Sequence, residues 1–138
     1  MLKTRLIHPE ILTALAEAGH GARLLIADGN YPYSTGLGDA TPLVYLNLAP
    51  GLVTVEQVLD VLLDAIEVEA AAVMIPDPDA PTPQIHTRFR EMLPDGVATD
   101  GLSRQDFYDA ARADDVVLAI ATGEQRTYAN LLLTIGVA

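Results

Sequence analysis

His20 stands between Gly19 and Gly21, at the end of one apolar helical stretch and just before the apolar segment Leu24-Leu25-Ile26-Ala27. That segment delivers Asp28 to its far end. An imidazole and a carboxylate, both at element ends rather than on solvated faces, are sufficient equipment for acid–base chemistry. A second polar cluster, Thr122-Gly123-Glu124-Gln125-Arg126-Thr127-Tyr128-Ala129-Asn130, interrupts the apolar C-terminus in the same way. Its Tyr128 hydroxyl and Asn130 amide suit a polyol ligand. Arg104 follows the helix-capping Ser103, where a cation opposes the helix dipole, so it is placed there for another task or is simply solvated.

Each of these residues also has a plainer reading. His20 near a helix C-terminus is favoured by the dipole alone. Asp28 before Gly29-Asn30 is a common turn opener, and residues 128–130 can be the turn that closes onto a last strand. His8 precedes Pro9 and reads as a helix-entry residue, while His86 reads as part of a polar helix face with Arg88 and Arg90. Three scattered histidines without ligand spacing give no expectation of a bound metal. Gly36-Leu37-Gly38 lacks the third glycine of a dinucleotide fingerprint, no Walker A pattern exists, and Ser34 and Ser103 have no nucleophile-elbow context. Cofactor-free chemistry remains.

The elements that must position these groups alternate in type. Pro9 opens a helix through Ile11, Leu12, Leu15 and Ala18, stopped by Gly19. A strand covers Arg23–Ala27, and residues 28–42, rich in glycine, proline and small polar groups, form a long loop. Val44–Leu48 is a short strand; Thr54 with Gln57 makes a capping box for the best helix in the chain. A buried strand over Ala70–Ile75, a helix from Pro83, a weak extended segment around Val97 and a helix capped by Ser103 follow. Strands over Val116–Ala121 and Leu131–Val137 finish the chain. Continuous apolar strands alternating with amphipathic helices predict an α/β fold: one layered domain over residues 1–138, with a largely parallel sheet flanked by helices. Ligands in such sheets sit beyond strand ends, where Asp28 and residues 122–130 lie.

Composition narrows the partners. The chain has 138 residues, half of them hydrophobic, with 8 basic and 19 acidic side chains and a formal charge of −11. That charge argues against nucleic acid and against anionic membranes, but not against a neutral sugar. With no cysteine, a thiolate nucleophile or disulfide framework is excluded. So high an apolar fraction in so small a domain predicts subunit contacts as well as a core. No signal-peptide pattern or bilayer-length apolar run is present, which makes the cytoplasm the expected location.

Taken together, Glu17-Ala18-Gly19-His20-Gly21, the apolar strand into Asp28, Tyr31-Pro32, and Thr122-Gly123-Glu124 leading to Tyr128-Ala129-Asn130 resemble the ribose pyranase / fucose mutarotase family of sugar anomerases. The resemblance runs from about Leu2 to Val137. It implies an isomerase that interconverts cyclic forms of a free monosaccharide without metal or cofactor. His20 is then the proton donor, and Asp28, Arg104, Tyr128, Ala129 and Asn130 bind the sugar. It also implies a homo-oligomeric ring, commonly a decamer, with sites shared between subunits. Arg104, Phe107-Tyr108 and the aromatic residue before Pro32 look like the fucose branch; Tyr128-Ala129-Asn130 matches the ribose form. The expected sugar is therefore L-fucose-like, otherwise D-ribose. The alternative is a monosaccharide-binding module associated with uptake, turning nothing over.

Overall fold

The computed structural model describes all 138 residues. Its elements are α1 (Pro9–Glu17), β1 (Arg23–Ala27), β2 (Leu43–Tyr45), α2 (Val55–Leu63), β3 (Val68–Met74), α3 (Gln84–Met92), β4 (Ala98–Leu102), α4 (Arg104–Ala111), β5 (Val116–Ala121) and β6 (Leu131–Ile135). The predicted succession of helices and strands is the observed one. Boundaries differ at several ends: β2 is displaced toward the N-terminus because residues 47–52 leave the sheet in a tight turn, with Leu48 N–H donating to the Leu52 carbonyl. Residues 28–42 form no helix or strand.

The six strands lie in the order β2-β5-β1-β6-β3-β4. β1 with β5, β2 with β5, and β3 with β4 are parallel. β6 is the exception, antiparallel to both β1 and β3. The reason is the link from β5 to β6: residues 122–130 contain no crossover helix, so the chain returns into the sheet in the reverse direction. To do so it passes over the end of β1, the neighbour that separates the two strands. That passage lays the second polar cluster on top of Asp28.

The central strands are buried on both faces, which explains their unbroken apolar runs. Leu24, Ile26, Leu118, Ile120, Leu131 and Leu133 point into a core shared with α1, α2 and α3. Leu25, Ala27, Ala119 and Leu132 point the other way, under Phe107 and Ala111 of α4 and the ring of Tyr31. Thr54 and Gln57 form the reciprocal capping box at the start of α2, and the His8 side chain accepts from Ile11 N–H at the start of α1.

Leu133 is fully buried in the strand that joins both halves of the sheet. Leu133→Ala is expected to destabilise the chain by about 2–5 kcal/mol through lost transfer energy and a residual cavity. Urea unfolding with the midpoint compared at equal chain concentration reads this directly.

Candidate functional site

Parallel strands β1, β3 and β5 and the start of β6 bring their polar termini to one edge of the sheet. Asp28 follows β1, Met74 ends β3, Arg104 begins α4 just past β4, and Asn130 precedes β6. Together with Asn30, Tyr31, Tyr108, Thr127 and Tyr128 these residues line an open hollow of about 360 Å³. Four of the five residues expected to bind sugar thus share one site. The fifth, Ala129, is fully buried and contributes its backbone N–H to Asp28 rather than a surface of its own. A second hollow of about 400 Å³ adjoins at Asn30 and includes Asn47 and Gln125. Its one carboxylate, Glu124, is already neutralised by Arg126, so the free acid–base and cationic groups belong to the first.

Asp28 organises the site. One carboxylate oxygen accepts from Asn30 N–H at 2.9 Å; the other accepts from Ala129 N–H at 3.3 Å and the Asn130 amide at 3.2 Å. In return, Asp28 N–H donates to Asn130 Oδ1 at 2.8 Å. Burial raises the carboxyl above the ordinary aspartate range, against the pull of these donors. A carboxylate has about four acceptor positions, so one remains for a ligand hydroxyl.

The loop over β1 is fastened at several more points. Thr122 Oγ1 donates to the Ala27 carbonyl at 2.8 Å, and Gly29 N–H to the Glu124 carbonyl at 2.8 Å. Glu124 is buried; burial alone would raise its carboxyl, but the bidentate Arg126 guanidinium holds it below its usual value. Arg126 also reaches Glu56 at 2.7 Å in the first turn of α2. These ties hold the loop while Tyr128 adopts φ 60°, in the left-handed region that a non-glycine residue reaches at a cost of about 1–2 kcal/mol. The result aims the phenol at the hollow, where its oxygen accepts from Arg104 Nη2 at 3.3 Å. Arg104 therefore is not a merely solvated arginine, although its side chain stays open to solvent.

This geometry separates two of the singled-out groups and corrects one expectation. His20 and Asp28 do not meet within one chain. His20 precedes β1 and Asp28 follows it, and five residues at about 3.3 Å each separate them by roughly 17 Å or more. The carboxylate beside His20 is Glu69, at the start of β3, with Oε2 2.9 Å from Nε2. The His20 side chain is otherwise 59% exposed on the opposite edge of the sheet. The expectation corrected concerns His86, which is buried, not part of a polar helix face. It shares the inward face of α3 with Ile85 and Phe89, and its Nε2–H donates to the Tyr128 carbonyl at 2.8 Å. Burial pushes its pKa down, partly offset by that hydrogen bond. The sequence reading also missed Met74 as a wall of the hollow, though the strand-end logic that found Asp28 applies to it equally.

No group of three or more His, Asp or Glu side chains is arranged to hold a metal ion, and no helix is long and apolar enough to cross a membrane.

The whole chain, residues 1–138, matches the RbsD / FucU transport protein family. A D-ribose pyranase of Paracidovorax citrulli is 33% identical over 138 residues, covering 99% of this chain and 98% of that protein. Among solved structures, Bacillus subtilis RbsD complexed with D-ribose superposes with a TM-score of 0.84 at 28% identity, over 100% of this chain and 99% of the other. The fucose mutarotase of Streptococcus pneumoniae, in complex with L-fucose, gives a TM-score of 0.82 at 27% identity, over 99% of each chain.

Two outcomes follow from the loop and from His86. A Cβ added at Gly123 would lie 2.2 Å from the Leu52 carbonyl oxygen and 2.4 Å from that of Ala49. Gly123→Ala is therefore expected to destabilise by roughly 2–4 kcal/mol, read from the unfolding midpoint. His86 has its folded pKa below its unfolded one. Its contribution is therefore complete above about pH 6.5 and is lost as pH falls through the folded value. Unfolding free energies of the native chain and His86→Gln, compared at pH 7 and pH 5, should differ by an amount that moves against the native chain on the acid side. The slope is at most about 1.4 kcal/mol per pH unit.

Proposed function

The chain belongs to the RbsD / FucU family, and from that premise we propose that it interconverts the cyclic forms of a free monosaccharide, with no metal or cofactor. The observation that carries this is the convergence of Asp28, Arg104, Tyr128 and Asn130, from separate elements, on one polar hollow at the strand ends. Hydroxyl, amide, carboxylate and guanidinium together supply both donors and acceptors for a ring of hydroxyl groups. The activity is that of an isomerase: atoms move within one sugar and nothing is transferred to another molecule.

Ring opening requires a proton on the ring oxygen and removal of the proton from the anomeric hydroxyl. Protonated His20 supplies the first. Glu69, within hydrogen-bonding distance, orients the imidazole. Asp28 accepts from a sugar hydroxyl with its free lone pair, and Asn130 is locked against it. Arg104 has donors to spare beyond its contact with Tyr128, and Tyr128, accepting from Arg104, keeps its own proton to donate. The opened aldehyde rotates and closes on its other face or through another hydroxyl. The same groups then exchange anomers or ring sizes, and the proton lent to the ring oxygen is balanced by the one lost from the anomeric hydroxyl.

Because His20 lies at the opposite edge of its own subunit, the site is completed by His20 of a second copy. This is the shared-site homo-oligomer that the family resemblance implies. Exposed Ile7, Tyr45, Leu48 and Leu52 provide apolar surface for contacts between copies. The preferred sugar is L-fucose-like. Arg104 faces the ligand, and the buried sides of Met74 and Tyr31 line the same hollow and suit a deoxy carbon. D-ribose is the competing substrate.

Saturation transfer between anomeric protons tests the activity, with L-fucose, D-ribose and galactose and with free histidine as the control for buffer catalysis. Exchange should accelerate with the native chain, most for fucose, and fall by roughly 10²–10⁴ in His20→Ala. Saturable binding with exchange at the buffer rate would instead identify a sugar-binding module. Mixing subunits tests the sharing. His20→Ala and Tyr128→Phe, each impaired alone, should recover roughly a quarter of the native rate after co-refolding, because random neighbours reunite intact partners at that frequency. A site contained within one chain would recover nothing, and light scattering that finds a monomer at micromolar concentration would also defeat the shared site.

A further inference from the structure

We infer that His86 is a positioning residue of the sugar site, acting through the backbone of Tyr128 and never touching the substrate itself. The inference rests on the function proposed above for the hollow beside Asp28. Its basis is a single peptide unit, the one joining Tyr128 to Ala129, which is held from both ends. The carbonyl of that unit accepts from His86 Nε2 at 2.8 Å, and its N–H donates to Asp28 Oδ2 at 3.3 Å. One anchor is on α3 and the other follows β1, so two rigid elements fix one peptide plane.

That plane decides where the phenol goes. Tyr128 is the only non-glycine residue with positive φ. Leaving the left-handed region means turning about the Tyr128 N–Cα bond, which would carry the phenol away from Arg104 and the following peptide out of its place between His86 and Asp28. His86 opposes this rotation because its own freedom is small. It is 1% exposed and stacked nearly parallel to the Phe89 ring, with an interplanar angle of 23°. A carbonyl partner also requires the proton on Nε2, so the tautomer is set by the contact. A packing histidine would need only its shape, whereas this one is used for its donor.

The two roles predict opposite orders for two substitutions. Leucine fills a buried apolar position but cannot donate; glutamine can place an amide N–H near the position of Nε2 but is the poorer core residue. We expect His86→Leu to lower kcat/KM for anomer exchange by roughly ten- to a hundredfold, and His86→Gln to recover most of that loss. Amide hydrogen exchange gives a readout independent of turnover. In His86→Leu the Ala129 N–H should lose protection while the amides of β1 and β6 keep theirs, and His86→Gln should restore it. Native turnover and native Ala129 protection in His86→Leu would overturn the inference. So would equal losses in both variants spread over the whole sheet, which would mark a folding residue. Should the native chain exchange no sugar at all, the functional reading of the hollow fails, and the Ala129 amide comparison still decides whether His86 holds the loop.

Discussion

A buried carboxylate that cannot leave its strand end is the constraint on which the architecture of this site depends. Asp28 is fixed by β1, whose residues Leu24 to Ala27 are wholly inaccessible to solvent. Desolvating its charge is unfavourable, and the elevated carboxyl pKa records that cost. Compensation comes from donors that only a loop crossing β1 can bring: the N–H of Ala129 and the amide of Asn130. Asp28 and Asn130 then clasp each other reciprocally, since Asn130 Oδ1 also receives Asp28 N–H. The carboxylate and the loop thus require one another. This also accounts for the one strand that runs against the rest, the antiparallel β6, because the same loop that satisfies Asp28 reverses the chain direction.

The loop is strained where it lines the hollow and braced where it does not. Tyr128 holds a left-handed conformation, and its neighbours supply the restraint. Gly123 is pressed against the Leu52 and Ala49 carbonyls where no side chain fits. Glu124 and Arg126 form a half-buried ion pair that reaches Glu56, and through it Arg88, tying the loop to α2 and α3. A buried carboxylate left without Arg126 would be costly, which is why this pair acts as a brace rather than as free acid–base equipment. The chemistry-bearing groups, by contrast, keep unused valences: one lone pair on Asp28, spare N–H groups on Arg104, a proton on Tyr128.

Much of this was visible in the residues, for reasons that can be stated. Strands β1, β5 and β6 are buried on both faces, so their runs of Leu, Ile and Ala are continuous and easily recognised. The capping box at Thr54 and the cap at Ser103 are local chemistry and fall where expected. β4 was faint because Ala98-Thr99-Asp100-Gly101-Leu102 pairs on one side only and stays largely exposed, leaving no apolar run to read. His86 was misread because Arg88 and Arg90 flank it with charge. The spacing to Phe89, three residues on, was the better signal, since it puts both on the inward face. The separation of His20 from Asp28 follows from spacing and strand length. They are eight positions apart, and because five of the intervening residues are strand, the two lie at opposite ends of β1.

That separation has a consequence for assembly. One end of the subunit offers a hollow lined by hydrogen-bond donors and acceptors and no free imidazole; the other offers an imidazole beside Glu69. Chemistry that needs both groups joins unlike surfaces, the front edge of one copy to the back edge of the next. Repeating such a heterologous contact generates a closed ring or an open filament, and closure leaves no site half-built. The shared site proposed here therefore calls for a head-to-tail contact because of where the two groups sit on β1, independently of any apolar excess.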